Sequence, residues 1–319
     1  MTTVGITRRT LLFGGLASTA GLLYGGGGGG NSMARTARTM LRVTCPEQDP
    51  PLDRKSFKAT LDGNPAKVLR AKGPKDDLII LLVLDLTGDL TLIDAARESL
   101  TGGVTNLARN HWMGVLKSQD GLQVMQDPTG DREKAAAAIR DYAATGKAGF
   151  LTTVESAAEV GDALMARANV RVAVVYVTDS NIYNYREDYT NPVINSSDSR
   201  DLSRRFPDQL IREKIQKLSD RLASSETPLF LVHLQYASDP INEAYQRGMM
   251  QLAEESGGAG AFCRSRGEIP EAIAKILSSA TNHWSVAVEV RESKSRAATV
   301  DLFNGDRDVP NRTRFSFRK

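Results

Sequence analysis

The sequence predicts an α/β protein: a doubly wound, mostly parallel, Rossmann-like sheet with one antiparallel edge strand, plus a small β appendage. Residues 78–84, 171–178 and 228–235 form apolar runs without polar alternation. Such runs are typical of strands that helices cover on both faces. Between the runs, apolar residues recur at helical spacing, which predicts alternating strands and helices.

The remaining elements of this rhythm follow in chain order. Asp120-Gly121 separates two short apolar runs, which predicts a β-hairpin and the antiparallel edge strand. Residues 131–144 are alanine-rich and helical, and 260–264 form a short strand. Further helical faces are carried by Leu90, Ile93, Leu100, Val104 and Leu107; by Val154, Ala158, Gly161 and Leu164; by Ile211, Ile215, Leu218 and Leu222; and by Ile269, Ile273, Ile276 and Leu277.

Two flanking pieces fall outside the strand–helix rhythm. In the N-terminal flank, Asp62-Gly63 predicts a hairpin turn between two short strands. In the C-terminal flank, Trp284, Val286, Val288 and Val290 alternate toward one face. The flanks are expected to pair with themselves or with each other as a β appendage. The predicted division of the chain is 1–34 (leader and glycine linker), 38–77 (N-terminal β flank), 78–282 (α/β domain) and 283–319 (C-terminal strands).

Composition excludes several classes of protein. The chain has 319 residues, 41% hydrophobic and 25% charged, which is ordinary for a globular protein. A net charge of +3 is too small to predict a nucleic-acid partner. Cys45 and Cys263 are the two cysteines, so a multi-cysteine zinc site is excluded. Those two residues are expected either to form a disulfide or to be buried thiols.

The N-terminus has the pattern of an export signal. Arg8-Arg9 precedes a short apolar stretch that runs to Tyr24, which resembles a twin-arginine signal. Six glycines at 25–30 follow as a flexible tether. We expect an exported protein, periplasmic or extracellular, that contacts a membrane only if this signal stays uncleaved. The alternative is a chance Arg-Arg pair before a buried helix.

Polar residues follow the predicted strands where ligands bind in doubly wound sheets. The first strand ends in Asp85, followed by Thr87 and Asp89, and the 171–178 strand is followed by Asp179. The carboxyl ends of neighbouring parallel strands meet at one edge of the sheet. Three carboxylates and a hydroxyl are ligands suited to Mg²⁺, Ca²⁺ or Mn²⁺. The alternative is a polar rim held by backbone N–H groups.

This pattern over residues 78–282 resembles a von Willebrand factor type A (vWA) domain. That family's metal-ion-dependent adhesion site has an Asp-x-Ser-x-Ser loop, a threonine from a later loop and an aspartate after the fourth strand. The resemblance implies that Asp85, Thr87, Asp89 and Asp179 are the ligands of Mg²⁺ or Ca²⁺. Two departures make the site degenerate: an aspartate at 89 replaces serine, and Gly149 occupies the threonine position.

The resemblance implies a non-enzymatic module that binds another protein. In the family, a partner's carboxylate completes the shell of the metal. Three ionised aspartates would repel that carboxylate, so we expect the metal to contribute little to partner binding. Residues 57–65, just before the first strand, are similar to the exported bacterial VWFA-related family described from acidobacteria.

One alternative makes the protein an enzyme. The segment 85–91, Asp-Leu-Thr-Gly-Asp-Leu-Thr, also resembles the nucleophile loop of haloacid-dehalogenase-type phosphatases. In that interpretation Asp85 attacks phosphorus and forms an aspartyl phosphate. Asp179 is followed by Ser180 and Asn181 rather than by the second acidic residue that the phosphatases carry.

The segment after Asp179 is the predicted partner-binding loop. Residues 181–206 are polar and contain Tyr183, Tyr185 and Tyr189. Loops of this length in a compact domain are usually functional or disordered. Exposed tyrosines bury a large area at a small cost in entropy, so these three are expected to contact the partner. The alternative is a solvated insertion without a partner.

Overall fold

A computed structural model describes residues 40–187, 207–290 and 297–317. Its strands and helices follow in this order: β1 (Met40–Pro46), β2 (Phe57–Leu61), β3 (Asn64–Ala66), β4 (Val68–Lys72), β5 (Leu78–Asp85), α1 (Leu90–Thr105), β6 (His111–Lys117), β7 (Gln123–Thr129), α2 (Arg132–Arg140), α3 (Phe150–Ala168), β8 (Arg171–Thr178), α4 (Pro207–Leu222), β9 (Leu229–His233), α5 (Pro240–Glu255), β10 (Gly260–Phe262), α6 (Ile269–Thr281), β11 (His283–Glu289), β12 (Ala297–Asn304), β13 (Arg307–Val309) and β14 (Arg314–Ser316).

The central sheet has six strands in the order β10-β9-β8-β5-β6-β7. Neighbouring strands are parallel except β6 and β7, which are antiparallel and form the predicted edge hairpin. The predicted doubly wound fold with one antiparallel edge strand is therefore confirmed. Among the described helices, none combines the length and the apolar character needed to cross a membrane.

Both faces of the sheet are covered, which explains the apolar runs. Every residue of β5 and of β8 is buried. Alternate side chains of β5 pack against α1, α2 and α6 on one face and against α3, α4 and α5 on the other. On α1, Ile93, Leu100 and Val104 are buried as predicted. Leu90 is 67% exposed, so its predicted place on the buried face is wrong.

The flanks form two small antiparallel sheets. The first has the order β1-β11-β4, and the second has the order β13-β12-β2-β3 with β14 paired to β12. The flanks thus pair both with themselves, as in β2–β3 and β12–β13, and with each other, as in β1–β11 and β2–β12, so both expected pairings occur. Asp62 and Gly63 both have positive φ, as the predicted two-residue hairpin requires. Apolar side chains of both flanks share one core, which includes Trp284 and Val286.

The two cysteines lie in different cores. Cys45 belongs to the core of the flanking sheets and Cys263 to the α1–α6 face of the central sheet. Both are buried free thiols, so the second of the two sequence-based alternatives is correct. Burial raises the pKa of Cys45 to about 12 and that of Cys263 to about 11, which keeps both thiols protonated at neutral pH.

Candidate functional site

Asp85 lies at the carboxyl end of β5 and is completely buried. Its Oδ1 accepts a hydrogen bond from Gly149 N at 2.9 Å, and its Oδ2 accepts from Phe150 N at 3.1 Å. Thr178 Oγ1 donates to Oδ2 at 3.1 Å from the neighbouring strand. Asp85 therefore caps the N-terminus of α3, since Gly149 is the N-cap of that helix and Phe150 is its first residue.

The electrostatics of Asp85 are those of a buried structural carboxylate. Burial raises the pKa of Asp85, and the hydrogen bonds it accepts oppose that shift. A nucleophile must reach the phosphorus of its substrate, and Asp85 has no exposed surface. The phosphatase interpretation of residues 85–91 needs a carboxylate that a phosphate ester can reach, and in this structure the surrounding backbone shields Asp85 from solvent.

Asp179 closes the loop that follows β5. Its Oδ1 accepts from Thr87 N at 2.6 Å and from Thr87 Oγ1 at 3.2 Å, and its Oδ2 accepts from Gly88 N at 2.7 Å. Burial raises the pKa of Asp179, and the donors of Thr87 and Gly88 oppose that shift. The sequence-based expectation that Asp179 lies beside the loop after Asp85 is met, but its carboxylate is engaged by backbone donors.

Asp89 has a different role from the predicted one. Its Oδ1 accepts hydrogen bonds from both Thr91 N and Thr91 Oγ1 at 2.7 Å, so Asp89 is the N-cap of α1. The hydrogen bond from the Thr91 hydroxyl lowers the pKa of Asp89. Helix capping by Oδ1 accounts for an aspartate at this position.

The threonine of an adhesion site has no equivalent here. A Cβ added to Gly149 would lie 1.9 Å from the carbonyl oxygen of Ser118, closer than any side chain allows. The nearby hydroxyls of Thr152 and Thr153 donate back to Gly149 O at 2.9 and 2.8 Å. Close backbone packing therefore requires glycine at position 149, where an adhesion site has threonine. The hydroxyls of the two neighbouring threonines are used in hydrogen bonds at the start of α3.

The residues present do not fit a resident divalent cation. All four carboxylate oxygens of Asp85 and Asp179 accept hydrogen bonds from protein donors, and Asp89 is used as a cap. The backbone N–H groups place partial positive charge beside these carboxylate oxygens, at the positions that a bound cation would occupy. Within residues 40–187, 207–290 and 297–317, no group of three or more His, Cys, Asp and Glu side chains is placed to hold a metal.

A chain of buried hydroxyls extends from Asp85 into the α3–α5 side of the molecule. Thr178 Oγ1 lies 2.7 Å from Ser180 Oγ, which lies 2.8 Å from Tyr245 OH. Tyr245 OH lies 2.6 Å from Tyr185 OH, and the two rings are in T-shaped contact. These contacts lock the start of the 181–206 segment to α5. Sequence reasoning missed Tyr245 because its partner is 60 residues away.

The three loop tyrosines are therefore not equivalent. Tyr185 is only 7% exposed, so the prediction that it contacts a partner is wrong: its ring belongs to the core. Tyr183 is 53% exposed, and its hydroxyl contacts Asp239 Oδ1 at 3.4 Å. Tyr189 lies outside the described residues.

His233 ends the next strand of the same edge and is neutral. Its Nε2 lies 2.9 Å from Ser180 O, and its Nδ1 accepts from Gln235 N at 3.3 Å. Burial lowers the pKa of His233 to about 4. Its ring therefore joins the β8 and β9 loops as an uncharged hydrogen-bonding group at neutral pH.

Strand order, parallel pairing and the edge hairpin together define a vWA-like α/β fold. Structural neighbours of the chain are vWA domain proteins at low sequence identity. A von Willebrand factor type A protein from Catenulispora acidiphila gives a TM-score of 0.44 at 10% identity over 88% of this chain and 74% of that one. The ArnB paralog VWA2 from Sulfolobus acidocaldarius gives 0.42 at 9% identity, with the same two coverages.

Proximal thread matrix protein 1 from the mussel byssus, solved with a zinc-occupied MIDAS motif, gives a TM-score of 0.45 at 10% identity; the match covers 70% of this chain and half of that one. No family model matches the sequence, and no curated protein matches it. These likenesses are of overall topology, so the roles of individual residues follow from the contacts within this chain.

Proposed function

We propose that this protein is a non-enzymatic binding module that takes a protein partner at the carboxyl edge of the central sheet without a metal bridge. The observation that carries the proposal is the exposure of large apolar side chains at this edge. Leu90 after β5, Tyr183 after β8 and Tyr236 after β9 are 67%, 53% and 40% exposed. They are half of the large hydrophobic side chains found exposed in the described residues.

The three residues follow neighbouring strands, since β5, β8 and β9 are adjacent in the sheet; Leu90 is the first residue of α1, and Tyr183 and Tyr236 lie in the connections after β8 and β9. We call them the edge triad. Hydrogen bonds hold the described backbone around them: Asp179 accepts from Gly88 N ahead of Leu90, the Tyr185–Tyr245 contact holds the start of the 181–206 segment, and Tyr236 N donates to Cys263 O at 2.8 Å. Held loops lose little conformational entropy on binding, which favours affinity.

The chemistry of the edge favours binding over catalysis. Asp85 has no exposed surface, His233 is hydrogen-bonded on both ring nitrogens, and the Asp179 carboxylate accepts hydrogen bonds from backbone donors. Domains of the vWA class are typically non-catalytic binding modules, which agrees with this chemistry. A tyrosine is among the residue types that most often dominate the binding energy of an interface.

The test compares the edge triad with exposed apolar residues elsewhere. We expect Leu90→Ser with Tyr183→Ala and Tyr236→Ala to abolish capture of the partner from an extract of secreted proteins, since each hot-spot residue contributes about 2 kcal/mol. The control is Val124→Ser with Val160→Ser, which removes exposed apolar groups from β7 and α3. Equal capture by the triad variant and the control, measured by quantitative mass spectrometry, would contradict the proposal.

We also propose that the protein is exported by the twin-arginine route, motivated by Arg8-Arg9 and the apolar stretch after it. Arg8→Lys with Arg9→Lys is expected to leave the precursor in the cytoplasm, whereas Arg35→Lys with Arg38→Lys leaves export unchanged. Cell fractionation followed by immunoblotting measures both. Normal export of the first variant would refute the route.

A further inference from the structure

The outer face of the β1-β11-β4 sheet carries a cleft of about 370 Å³. Three cationic residues line it, Arg42 on β1 and Arg70 and Lys72 on β4, and no acidic residue does. Exposed Leu69 and half-buried Met40 are also part of its lining, and the end of α3 forms a wall. We call it the cationic cleft. It lies away from the edge triad and has no part in the proposed partner binding.

Strand register explains how the cations share one face. Ala287 pairs with Arg42 on one side and with Arg70 on the other, and Ser285 pairs with Lys72. Residues opposite each other in antiparallel strands point to the same face. The central strand thus contributes two small side chains between long cationic ones. The strands that carry the cations are about 10 Å apart, a width that admits a phosphate-sized anion.

The cations are incompletely neutralised within the described residues. Arg42 forms an ion pair with Glu226 at 2.9 Å, whereas Arg70 and Lys72 form no ion pair in that part of the chain. Burial lowers the pKa of Lys72, the nearby charge of Arg70 lowers it further, and the charges of Asp76 and Asp77 partly oppose this shift. Positive charges held close together favour an anion that neutralises them.

We propose that the cationic cleft binds the anionic headgroups of a phospholipid surface. Its position in the chain favours a lipid source for the anion. Residues 25–39 separate the apolar leader from β1. If the leader stays in a membrane, a chain of this length lets β1 move at most about 50 Å from that membrane. Exposed apolar Leu69 beside the cations suits the boundary between headgroups and acyl chains.

Vesicle binding by the chain from Ala37 onward tests the proposal without the leader, so its outcome does not depend on the proposed export route. Residues Ala37–Lys319 form one compact unit that contains all three cores. We expect it to sediment with vesicles that contain phosphatidylglycerol and not with vesicles of phosphatidylcholine alone. Arg70→Ser with Lys72→Ser is expected to weaken this binding roughly twentyfold, since each cation near an anionic surface contributes several-fold.

The matched control is Lys134→Ser with Lys275→Ser, which removes two charges from α2 and α6 on the opposite side of the central sheet. Arg70→Lys with Lys72→Arg keeps the charges and is expected to bind normally, which separates charge from folding. Equal binding to both kinds of vesicle would overturn the proposal, as would equal losses in the serine pair and the control. Binding of polyglutamate without binding of vesicles would overturn the proposal in favour of an acidic protein partner. Loss of vesicle binding in millimolar inorganic phosphate alone would overturn it in favour of a free anion.

Discussion

Gly149→Thr is expected to destabilise the protein by about 3 kcal/mol or to prevent its folding. The reason is the approach of Ser118 O, which a Cβ at this position would meet at 1.9 Å. The obstacle is backbone, so rotation of a side chain cannot relieve it. The substitution restores the threonine of an adhesion site by residue type, yet it would push the α3 N-terminus away from Asp85. Urea denaturation measures the change.

Gly102→Ala is the matched control for this prediction. Gly102 lies in α1 with no heavy atom near the added Cβ, so alanine is expected to stabilise the helix by about 0.5–1 kcal/mol. If Gly149→Thr kept wild-type stability, and especially if it also gained a response to Mg²⁺, the close packing of Gly149 against Ser118 would be refuted.

Arg171→Met is expected to cost about 4 kcal/mol. Arg171 is fully buried at the start of β8. Its Nη1 donates to Thr281 O at 2.9 Å and to His283 O at 2.7 Å, and its Nη2 donates to Pro74 O at 3.2 Å and to Asp76 O at 2.9 Å. These carbonyls lie in the segments just before β5 and around the end of α6. Methionine at position 171 would leave the four carbonyl oxygens without their hydrogen-bond donor.

Arg171→Lys separates charge from geometry, because lysine keeps the charge but cannot reach four carbonyls at once. Burial lowers the pKa of Arg171 to about 10, so the side chain remains charged at neutral pH. Lysine is therefore expected to give an intermediate loss. Arg167→Met on the exposed end of α3 is the control and is expected to cost under about 1 kcal/mol. If thermal unfolding showed that Arg171→Met lowers the stability no more than this control does, the stabilising role of the four Arg171 hydrogen bonds would be contradicted.

The central strands β5, β8 and β9 could be predicted closely because strands buried on both faces appear in the sequence as unbroken apolar runs. The strand predicted at 171–178 coincides with β8, and the Asp62-Gly63 turn follows from local backbone conformation. The capping role of Asp89 also had a sequence signal, an aspartate directly before a helix with Thr91 behind it. The resemblance to an adhesion site instead assigned Asp89 to a metal.

The errors at the candidate site come from long-range contacts. Whether Tyr183 or Tyr185 is buried depends on Tyr245 of α5, and their local sequence surroundings are similar. The Asp85 carboxylate is hydrogen-bonded by backbone N–H groups at the start of α3, more than sixty residues later in the chain. Sequence placed Asp85 and Asp179 at one edge correctly, but the hydrogen-bond donors that satisfy them are backbone groups, which residue types do not reveal.

We infer that the carboxylates at the carboxyl edge are satisfied by the protein's own donors and that this edge works without a cation. The most direct test of this inference is the melting temperature of the purified protein in EDTA and in excess Mg²⁺, Ca²⁺, Mn²⁺ or Zn²⁺. A cation bound at about 100 times its Kd would raise the melting temperature by roughly 5–10 °C. We expect the melting temperature to shift by less than about 1 °C with every ion. A rise of several degrees that disappears in Asp179→Asn would show that a working metal site exists at this edge.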